Sequence, residues 1–156
     1  MITQVRIKEY TSRFGDDVRE LVFTCLTELR PGYDPRQDPR HKDLESISEV
    51  YSGKSRFWLA VTGGRLVGTI AVKTKPGSEA SLKRLFVRKD CRGNGTGSLL
   101  LNHALDYAQK TGFTGISLIT STYAAAAVHL FEKHGFTRTE REFSDKALLY
   151  YTKALN

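Results

Sequence analysis

Along the 156-residue chain, hydrophobic residues recur in some stretches at helical spacing and in others at every second position or in short apolar runs. The first kind of stretch predicts a helix and the second a strand. Helical spacing covers residues 16–29, 44–51, 98–110 and 124–134. Strand-like runs cover residues 2–8, 56–61, 65–72, 79–87, 116–119, 136–143 and 146–155. Two prolines within residues 33–41 predict a loop there. The predicted order is βααβββαβαββ, with no internal repeat and no linker.

A glycine-rich turn between the strand at 79–87 and the helix at 98–110 is the clearest candidate for chemistry. Residues 92–97 read Arg-Gly-Asn-Gly-Thr-Gly. Glycines lack a Cβ atom, so a ligand can approach the backbone closely. The amide groups of such a turn meet a helix N-terminus, where the partial positive charge favours an anion. Arg92 adds a cation and a planar donor fork suited to phosphate. The turn therefore predicts a diphosphate cradle.

The spacing of this turn narrows the kind of cradle. A P-loop would need a Lys-Ser or Lys-Thr pair after the glycines, and a Rossmann fingerprint would need an acidic residue about 20 positions further on. Neither is present. The spacing Arg92-x-x-Gly95-x-Gly97 instead resembles the acyl-CoA loop of the GNAT N-acetyltransferase superfamily. Residues 130–136, Leu-Phe-Glu-Lys-His-Gly-Phe, are similar to a second segment of that family, and the predicted order of elements matches as well.

The resemblance implies an α/β fold of the α+β kind: one GNAT domain over residues 1–156, with a mixed, mostly antiparallel central sheet flanked by helices. It implies acetyl-CoA as co-substrate, whose pantetheine arm enters where the sheet splays open. The backbone amide of Leu85 would then stabilise the oxyanion. The positions that the resemblance assigns to cofactor binding are Leu85, Phe86, Val87, Arg92, Gly93, Asn94, Gly95, Thr96, Gly97, Ala124, Ala127 and Phe131.

A base is expected because an attacking amine must be neutral, whereas a free alkylamine titrates near about 10.4. The family often places a carboxylate on the strand before the cradle, on the face that Val87 shares. Counting back by twos reaches Ser81, which is no base at neutral pH, and then Glu79. Glu79 is therefore the candidate base. Asp34 and Asp38, in the loop that lines the acceptor pocket in the family, are weaker alternatives.

Two positions depart from the family pattern. Phe131 stands where a tyrosine commonly protonates the departing thiolate, and Ala124 replaces an asparagine that often begins the same helix. The role of general acid is therefore either absent or moved to Tyr123, Tyr150 or Tyr151. A thiol has a pKa near about 8.5, so its anion is a tolerable leaving group without an acid.

Composition excludes several other classes of protein. No apolar run approaches the ~20 residues of a membrane span. The first residues lack the apolar region of a secretory signal, and with only two cysteines we expect free thiols and a cytoplasmic location. No histidine and cysteine spacing suggests a metal site. The formal net charge is +7, but the basic residues are spread along the chain, so nucleic acid is not an expected partner.

The leading hypothesis is an acetyl-CoA-dependent N-acetyltransferase in which a primary amine attacks the thioester directly in a ternary complex. An alternative is a GNAT-fold protein that binds acyl-CoA without efficient turnover, and a third is a basic nucleic-acid-binding module. Both a small amine and a peptide amine fit as acceptor. A basic group in the loop and just after it (Arg36, Arg40, His41 and Lys42) is compatible with an acceptor that carries a carboxylate or phosphate. A homodimer is possible for this fold.

Overall fold

A computed structural model describes residues 4–156 of the chain. Its α-helices are α1 (Gly15–Leu29), α2 (Ile47–Val50), α3 (Thr96–Thr111) and α4 (Ala125–Lys133). Its strands are β1 (Arg6–Glu9), β2 (Arg56–Thr62), β3 (Arg65–Thr74), β4 (Glu79–Val87), β5 (Gly115–Ser121), β6 (Thr137–Arg138) and β7 (Leu148–Ala154). Short 3₁₀ turns aside, the elements follow the order that the hydrophobic pattern predicts.

The strands form one seven-stranded sheet in the order β1-β2-β3-β4-β5-β7-β6. Neighbouring strands run antiparallel except β4 and β5, which are parallel. That parallel pair is joined only at Glu79 with Gly115, Ala80 with Ile116 and Ser81 with Ser117. Beyond Ser81 the two strands separate, so the sheet splays open along the second half of β4, as the family resemblance implied.

Each face of the sheet carries its own hydrophobic core. On one face α3 packs over β2, β3 and β4 and α4 packs against β5, with Leu100, Leu101 and Phe131 among the buried residues. On the other face α1 packs over β3 and β4, and the second core forms around Val18 and Val22. Beyond β4 this second face is more open, and Ile119 on β5 is 50% exposed there. We call it the α1 face below.

A β-bulge in β4 overturns the predicted alternation of its side chains. Thr69 pairs with Phe86 and Ala71 with Lys83, so Arg84 and Leu85 together oppose one residue of β3. Arg84 is left-handed, with a φ of 62°. An extra residue switches the face that each following side chain occupies. Counting back by twos from Val87 is therefore wrong beyond Leu85.

The buried residues confirm this change of face. Leu85 and Val87 pack against the core beneath α3, which we call the α3 core, and so do Ala80 and Leu82. In a regular strand, odd-numbered and even-numbered residues would point to opposite faces. Phe86 packs instead against the core on the other face, around Val18 and Val22 of α1. Ala80 and Leu82 therefore share a face with Val87. Glu79, Ser81 and Lys83, which were expected to share it, point to the opposite face.

Three predicted boundaries also differ. The first strand is Arg6–Glu9 rather than 2–8, and residues 2 and 3 lie outside the described part of the chain. The predicted helix at 44–51 is reduced to the end of a 3₁₀ turn, Pro39–Glu45, followed by the short α2. The predicted strand at 136–143 keeps only Thr137–Arg138. The N–H of Thr139 still donates to the carbonyl of Tyr150 at 2.9 Å, and beyond it no strand is formed before β7. In this connection Asp145 accepts a hydrogen bond from Arg30, the residue after α1, at 3.2 Å.

Candidate functional site: the splay between β4 and β5

Two glycines set the path of the turn before α3. Gly93 and Gly95 have φ values of 82° and 88°, which other residues rarely adopt, and no atom lies within 4 Å of the position a Cβ would take. Gly95 is the left-handed residue from which α3 begins. The turn thus presents uncovered backbone at a helix N-terminus, whose first N–H groups have no partner within the helix. These features fit the diphosphate group that the motif predicted.

Gly97, whose predicted part in cofactor binding stays a prediction, also lies at a contact between two helices. A Cβ at Gly97 would lie 3.3 Å from Cδ2 of Leu130 on α4, so this glycine allows α3 and α4 to pack closely. The side chains of Asn94 and Thr96 are engaged within the turn itself. Asn94 Oδ1 accepts hydrogen bonds from the Thr96 hydroxyl at 2.8 Å and from its backbone N–H at 3.4 Å. Their side chains therefore hold the shape of the turn.

Arg92 lies beside the turn with its guanidinium already engaged. Its Nε donates to the carbonyl of Val87 at 2.8 Å, and its terminal nitrogen forms an ion pair with Glu28 on α1 at 2.8 Å. The same nitrogen lies 3.5 Å from the sulfur of Cys25, whose pKa is raised because the thiol is buried. Arg92 therefore ties the end of β4 to α1.

The second half of β4 borders the turn and offers its backbone to the splay. The side chains of Leu85 and Val87 are half-buried against the core beneath α3, and among the described residues no strand pairs with the β5 side of β4 at these positions. The bulge that orients this backbone is held from the other side of the strand. The Thr69 hydroxyl donates to the carbonyl of Arg84 at 2.7 Å, and Arg84 Nε donates to Asp43 at 3.0 Å.

Arg84, Asp43, Tyr51 and His41 form a cluster of polar side chains on the α1 face beside the bulge, which we call the Arg84 cluster. It was not predicted from the sequence. The side chains of Arg84 and Asp43 are only 11% and 17% exposed, and Tyr51 also donates to Asp43, at 2.6 Å. Burial opposes the charge on Asp43, but the bonds from Arg84 outweigh it and lower its pKa. His41 lies 3.0 Å from an Arg84 nitrogen, and burial, reinforced by the Arg84 charge, lowers its pKa.

Asp34 and Asp38, the weaker candidates for the base, are committed to turns. Each side chain accepts the backbone N–H two residues further on, from Arg36 at 3.1 Å and from Arg40 at 2.9 Å. Asp38 also forms an ion pair with Arg40 and accepts from Tyr33 at 2.6 Å, which holds the Asp38 pKa well below its usual range. Burial and the contact with Asp38 raise the pKa of Tyr33 to about 12.

Glu79 and Ser81 lie at the closed end of the splay, in the three pairs that join β4 to β5. Glu79 is exposed and six residues before Leu85, a separation of roughly 20 Å along a strand. The structure does not bring Glu79 and Leu85 together. The catalytic role of Glu79 stays a prediction.

Of the predicted cofactor positions in this region, Ala127 and Phe131 lie on the side of α4 that faces the core. Ala124 precedes the helix, Ala127 is half-buried, and Phe131 is 5% exposed with its ring edge-on to Phe136. No hydroxyl replaces the missing tyrosine at this point of the helix.

The three tyrosines considered as replacements lie in different surroundings. Tyr151 is buried on the α3 side and donates to Glu132 at 2.8 Å. Tyr123 is 48% exposed, with the Arg30 guanidinium 5.0 Å from its ring centre. Tyr150 lies on the α1 face, where the nearby Ser117 hydroxyl and then the Lys75 charge lower its pKa. Lys75, Ser117 and Tyr150 come from distant segments, so no local pattern in the sequence indicates that they lie near one another.

Over residues 4–156, no helix has the length and apolar character needed to cross a bilayer. Within the same residues, no group of three or more histidine, cysteine, aspartate or glutamate side chains is arranged to hold a metal ion. Both cysteines, Cys25 and Cys91, are free thiols.

Comparison with known proteins agrees with this geometry. A family model described as the acetyltransferase (GNAT) family matches residues 16–136. N-acetyltransferase 8 of Rattus norvegicus is 34% identical over 112 residues, which are 67% of this chain and 50% of the relative. The chain spans about half the length of the curated relatives it matches.

Solved structures show the same fold at lower sequence identity. A GNAT-family acetyltransferase from Staphylococcus aureus Mu50 superposes with a TM-score of 0.88 at 24% identity, over 98% of this chain and all of that one. The PaiA N-acetyltransferase of Thermoplasma acidophilum, solved in complex with coenzyme A, gives a TM-score of 0.74 at 20% identity, over 97% of this chain and 99% of that one. The sequence resemblance and the fold class are thereby confirmed: the chain belongs to the acetyltransferase (GNAT) family.

Proposed function

We propose that this chain is an acetyl-CoA-dependent N-acetyltransferase in which a primary amine attacks the thioester directly, in a ternary complex. The observation that carries the proposal is the open edge of β4 beside the Gly93–Gly95 turn, since it offers one continuous backbone surface to a thioester and its diphosphate. The names of the curated relatives and the coenzyme A in the PaiA structure support the same reaction.

In this proposal the backbone does most of the binding. The N–H groups of residues 93–97 hold the diphosphate at the start of α3, where the helix dipole adds to their attraction. The strand edge at residues 85–87 holds the pantetheine arm, with Ala124, Ala127 and Phe131 on its other side. The N–H of Leu85, aimed by the bulge, stabilises the negative charge that develops on the carbonyl oxygen.

The second candidate function is binding of acyl-CoA without efficient turnover. Phe131 and Ala124 favour it, because neither can supply the proton or the polar contact that the family residues would give. Binding and turnover are therefore measured separately.

The acceptor, location and assembly belong to the same proposal. The acceptor is a primary amine, small or peptidic, that enters over the α1 face. Residues 1–156 act as one acetyltransferase domain, and neither a nucleic acid nor a membrane is a proposed partner. The free thiols Cys25 and Cys91 support a cytoplasmic location. A homodimer stays a prediction from the resemblance.

The test is calorimetric titration with acetyl-CoA of the wild type and of a Gly95→Glu variant, whose side chain adds bulk and negative charge to the diphosphate site. Gly53→Glu is the matched control, because Gly53 also has a positive φ and open space but lies in the turn before β2. We expect micromolar binding by the wild type and the control and none by Gly95→Glu. Equal binding by Gly95→Glu, or no binding by the wild type, would overturn the proposal.

Turnover is then tested with a panel of primary amines: amino acids, a polyamine, and peptides with a free N-terminus or lysine. Release of the coenzyme A thiol with any of them supports transfer. If acetyl-CoA binds and no amine in the panel releases thiol, the binding function without turnover replaces the first.

A further inference from the structure

The N–H of Leu85 points away from β3, to the side on which β4 has no partner strand. The N–H of Arg88 donates to the carbonyl of Val67 on β3 at 2.8 Å. One residue earlier, the carbonyl of Val87 instead accepts from Arg92. In an antiparallel pair, successive residues turn their main-chain groups alternately toward the partner strand and away from it. Leu85, two residues before Val87, therefore turns its N–H to the splay.

The Thr69 hydroxyl fixes the peptide group that contains this N–H. Thr69 is buried on β3, and its hydroxyl donates to the carbonyl of Arg84 at 2.7 Å. The peptide bond between Arg84 and Leu85 is trans and planar, so its carbonyl and its N–H point in opposite directions. A carbonyl that is held toward β3 therefore holds the N–H of Leu85 toward the splay.

The backbone of Arg84 adopts a conformation that other bonds must maintain. Its φ of 62° is left-handed, which costs free energy for a residue with a side chain. Such a conformation persists only where the surrounding structure determines it. Arg84 is also the first of the two residues that together oppose one residue of β3. A change in its backbone angles would therefore rotate the N–H of Leu85.

The guanidinium of Arg84 bonds to the 3₁₀ turn Pro39–Glu45 with each of its three nitrogens. Two of them donate to the carboxylate of Asp43, and the third faces Nδ1 of His41 at 3.0 Å. The carbonyl of Arg40 accepts a further bond at 3.3 Å. Because the side chain of Arg84 is only 11% exposed, water competes little for these bonds. The turn thus holds Arg84 from the α1 face, while Thr69 holds it from β3.

We propose that Thr69, Arg84 and Asp43 are positioning residues that keep the N–H of Leu85 directed at the thioester carbonyl. This inference rests on the proposed acetyltransferase function, in which that N–H is the catalytic group. The turn Pro39–Glu45 overlaps the loop at 33–41 that the family resemblance gives to the acceptor pocket. Asp43 therefore links the acceptor loop to the oxyanion donor, and alignment of the donor depends on the position of the turn.

The first test compares two ligands and needs no acceptor. Coenzyme A lacks the thioester carbonyl, so the ratio of its affinity to that of acetyl-CoA, measured by calorimetry, reports on the bond from Leu85. Thr69→Val should weaken acetyl-CoA about fivefold more than coenzyme A, the value of one neutral hydrogen bond. Thr69→Ser keeps the hydroxyl and should restore the wild-type ratio. An equal ratio in Thr69→Val and the wild type would overturn the proposal.

Ser55→Ala is the matched control for the loss of a buried hydroxyl. Ser55 is 2% exposed, and its hydroxyl accepts the N–H of Thr74 at 3.0 Å, at the end of β3. This variant should lose stability and keep the wild-type ratio. A shift as large as that of Thr69→Val would overturn the proposal, because the ratio would then follow stability alone.

Asp43→Asn tests the link to the acceptor loop. It leaves the Thr69 hydroxyl in place, removes the charge with which Arg84 pairs, and should shift the ratio in the same direction by about threefold. Tyr51→Phe removes another bond to Asp43, of 2.6 Å, and leaves both bonds from Arg84. It should lower the unfolding midpoint without a shift of the ratio. No shift in Asp43→Asn would overturn the link between the loop and the donor.

The infrared stretch of an isotopically labelled thioester carbonyl gives a second readout. A hydrogen bond to a carbonyl oxygen lowers its stretching frequency. Acetyl-CoA bound to the wild type should therefore absorb below the free ligand, and acetyl-CoA bound to Thr69→Val should move back toward the free value. Identical frequencies in the two complexes would overturn the proposal. If Thr69→Val binds neither ligand, Asp43→Asn takes its place in both measurements.

The two proposals fail in distinguishable ways. With an amine that releases thiol, Thr69→Val should lower kcat about 100-fold and change KM for acetyl-CoA less than about tenfold, because an oxyanion bond is strongest in the transition state. A wild-type kcat in this variant overturns the positioning role and leaves acetyl transfer standing. If the wild type binds no acetyl-CoA, both proposals fail. If it binds acetyl-CoA but no amine releases thiol, transfer fails, and the ratio and the carbonyl frequency still decide the role of Thr69.

Discussion

The two sides of the splay differ in whether main-chain or side-chain atoms form their surface. We call the side where we propose that acetyl-CoA binds, between the second half of β4 and the start of α3, the cofactor side; its surface is mainly main chain, and its glycines leave it uncovered. We call the α1 face, over which we propose that the acceptor enters, the acceptor side; it carries side chains that bond to one another, Arg84 to Asp43 at the bulge and Lys75 to Ser117 at the closed end.

This difference predicts that the two sides respond differently to substitution. A backbone surface tolerates many side chains, provided that glycine and the bulge keep its shape. A surface of interlocking side chains depends on each of them. Variants should accordingly affect acetyl-CoA binding through shape on the first side, and stability and pH dependence through charge on the second.

The largest effect is expected at Arg84. Arg84→Ala leaves Asp43 half-buried without its cation, and breaking such a pair costs about 3 kcal/mol of unfolding free energy. Arg84→Gly loses the same pair but relieves the left-handed backbone, so it should be about 1 kcal/mol more stable than Arg84→Ala. Urea denaturation measures both. Equal midpoints for the two variants would mean that the bulge is not strained.

The next effect tests shape on the cofactor side. A Cβ at Gly68 would lie 2.9 Å from Cδ1 of Leu100 and 3.0 Å from the carbonyl oxygen of Phe86. Gly68→Ala should therefore cost about 2 kcal/mol of stability and weaken acetyl-CoA binding, because the end of β4 must move. Gly115→Ala is the control, since its nearest neighbour is 3.7 Å away. A stable Gly68→Ala variant with unchanged affinity would contradict a rigid strand edge.

A smaller effect is expected at the ion pair beside the turn. If Arg92 turns toward the diphosphate when acetyl-CoA binds, Arg92→Met should weaken binding about tenfold, near 1.4 kcal/mol. Glu28→Gln should strengthen binding about threefold, because it removes the carboxylate that competes with the diphosphate for Arg92, and such a partly exposed ion pair contributes little free energy. Calorimetry in low salt measures both. Opposite signs are the signature of competition, and two losses would show instead that the pair only holds β4 against α1.

The smallest effect concerns pH on the acceptor side. The folded protein lowers the pKa of His41, chiefly by burial and then by the Arg84 charge. The unfolded chain, with a pKa near about 6.5, then binds the proton more readily, so His41 contributes stability above that pH which is lost as pH falls through the folded pKa. His41→Gln should flatten the fall of stability on acidification below pH ~6.5. Parallel wild-type and variant curves would contradict this.

The turn and helix on the cofactor side could largely be predicted because their signals are local. The glycines at 93, 95 and 97 and the spacing of the following helix lie within one short stretch of chain, and they determine the turn with little help from elsewhere. Even there, the role of Gly97 depends on Leu130, more than thirty residues away. Its part in helix packing could not be inferred from the turn alone.

The acceptor side could not be predicted because its determinants are distant in sequence. Nothing in the residues around Arg84 marks a left-handed arginine, since Asp43 and Thr69 hold it there from other segments. The same bulge made counting by twos fail for Glu79 and Ser81. The short β6 is similar, because the alternation over residues 136–143 does not indicate that pairing with β7 ends after Thr137–Arg138.

The three residue pairs that join β4 to β5 have a consequence for the cooperativity of the fold. They are the only ladder, among the described residues, between a four-stranded and a three-stranded half of the sheet, so the two halves are linked mainly by this short seam and by helix packing. Sub-global opening should separate them, and amide hydrogen exchange should reveal two protection classes divided at this seam. A ligand that bridges both halves would merge the two classes into one.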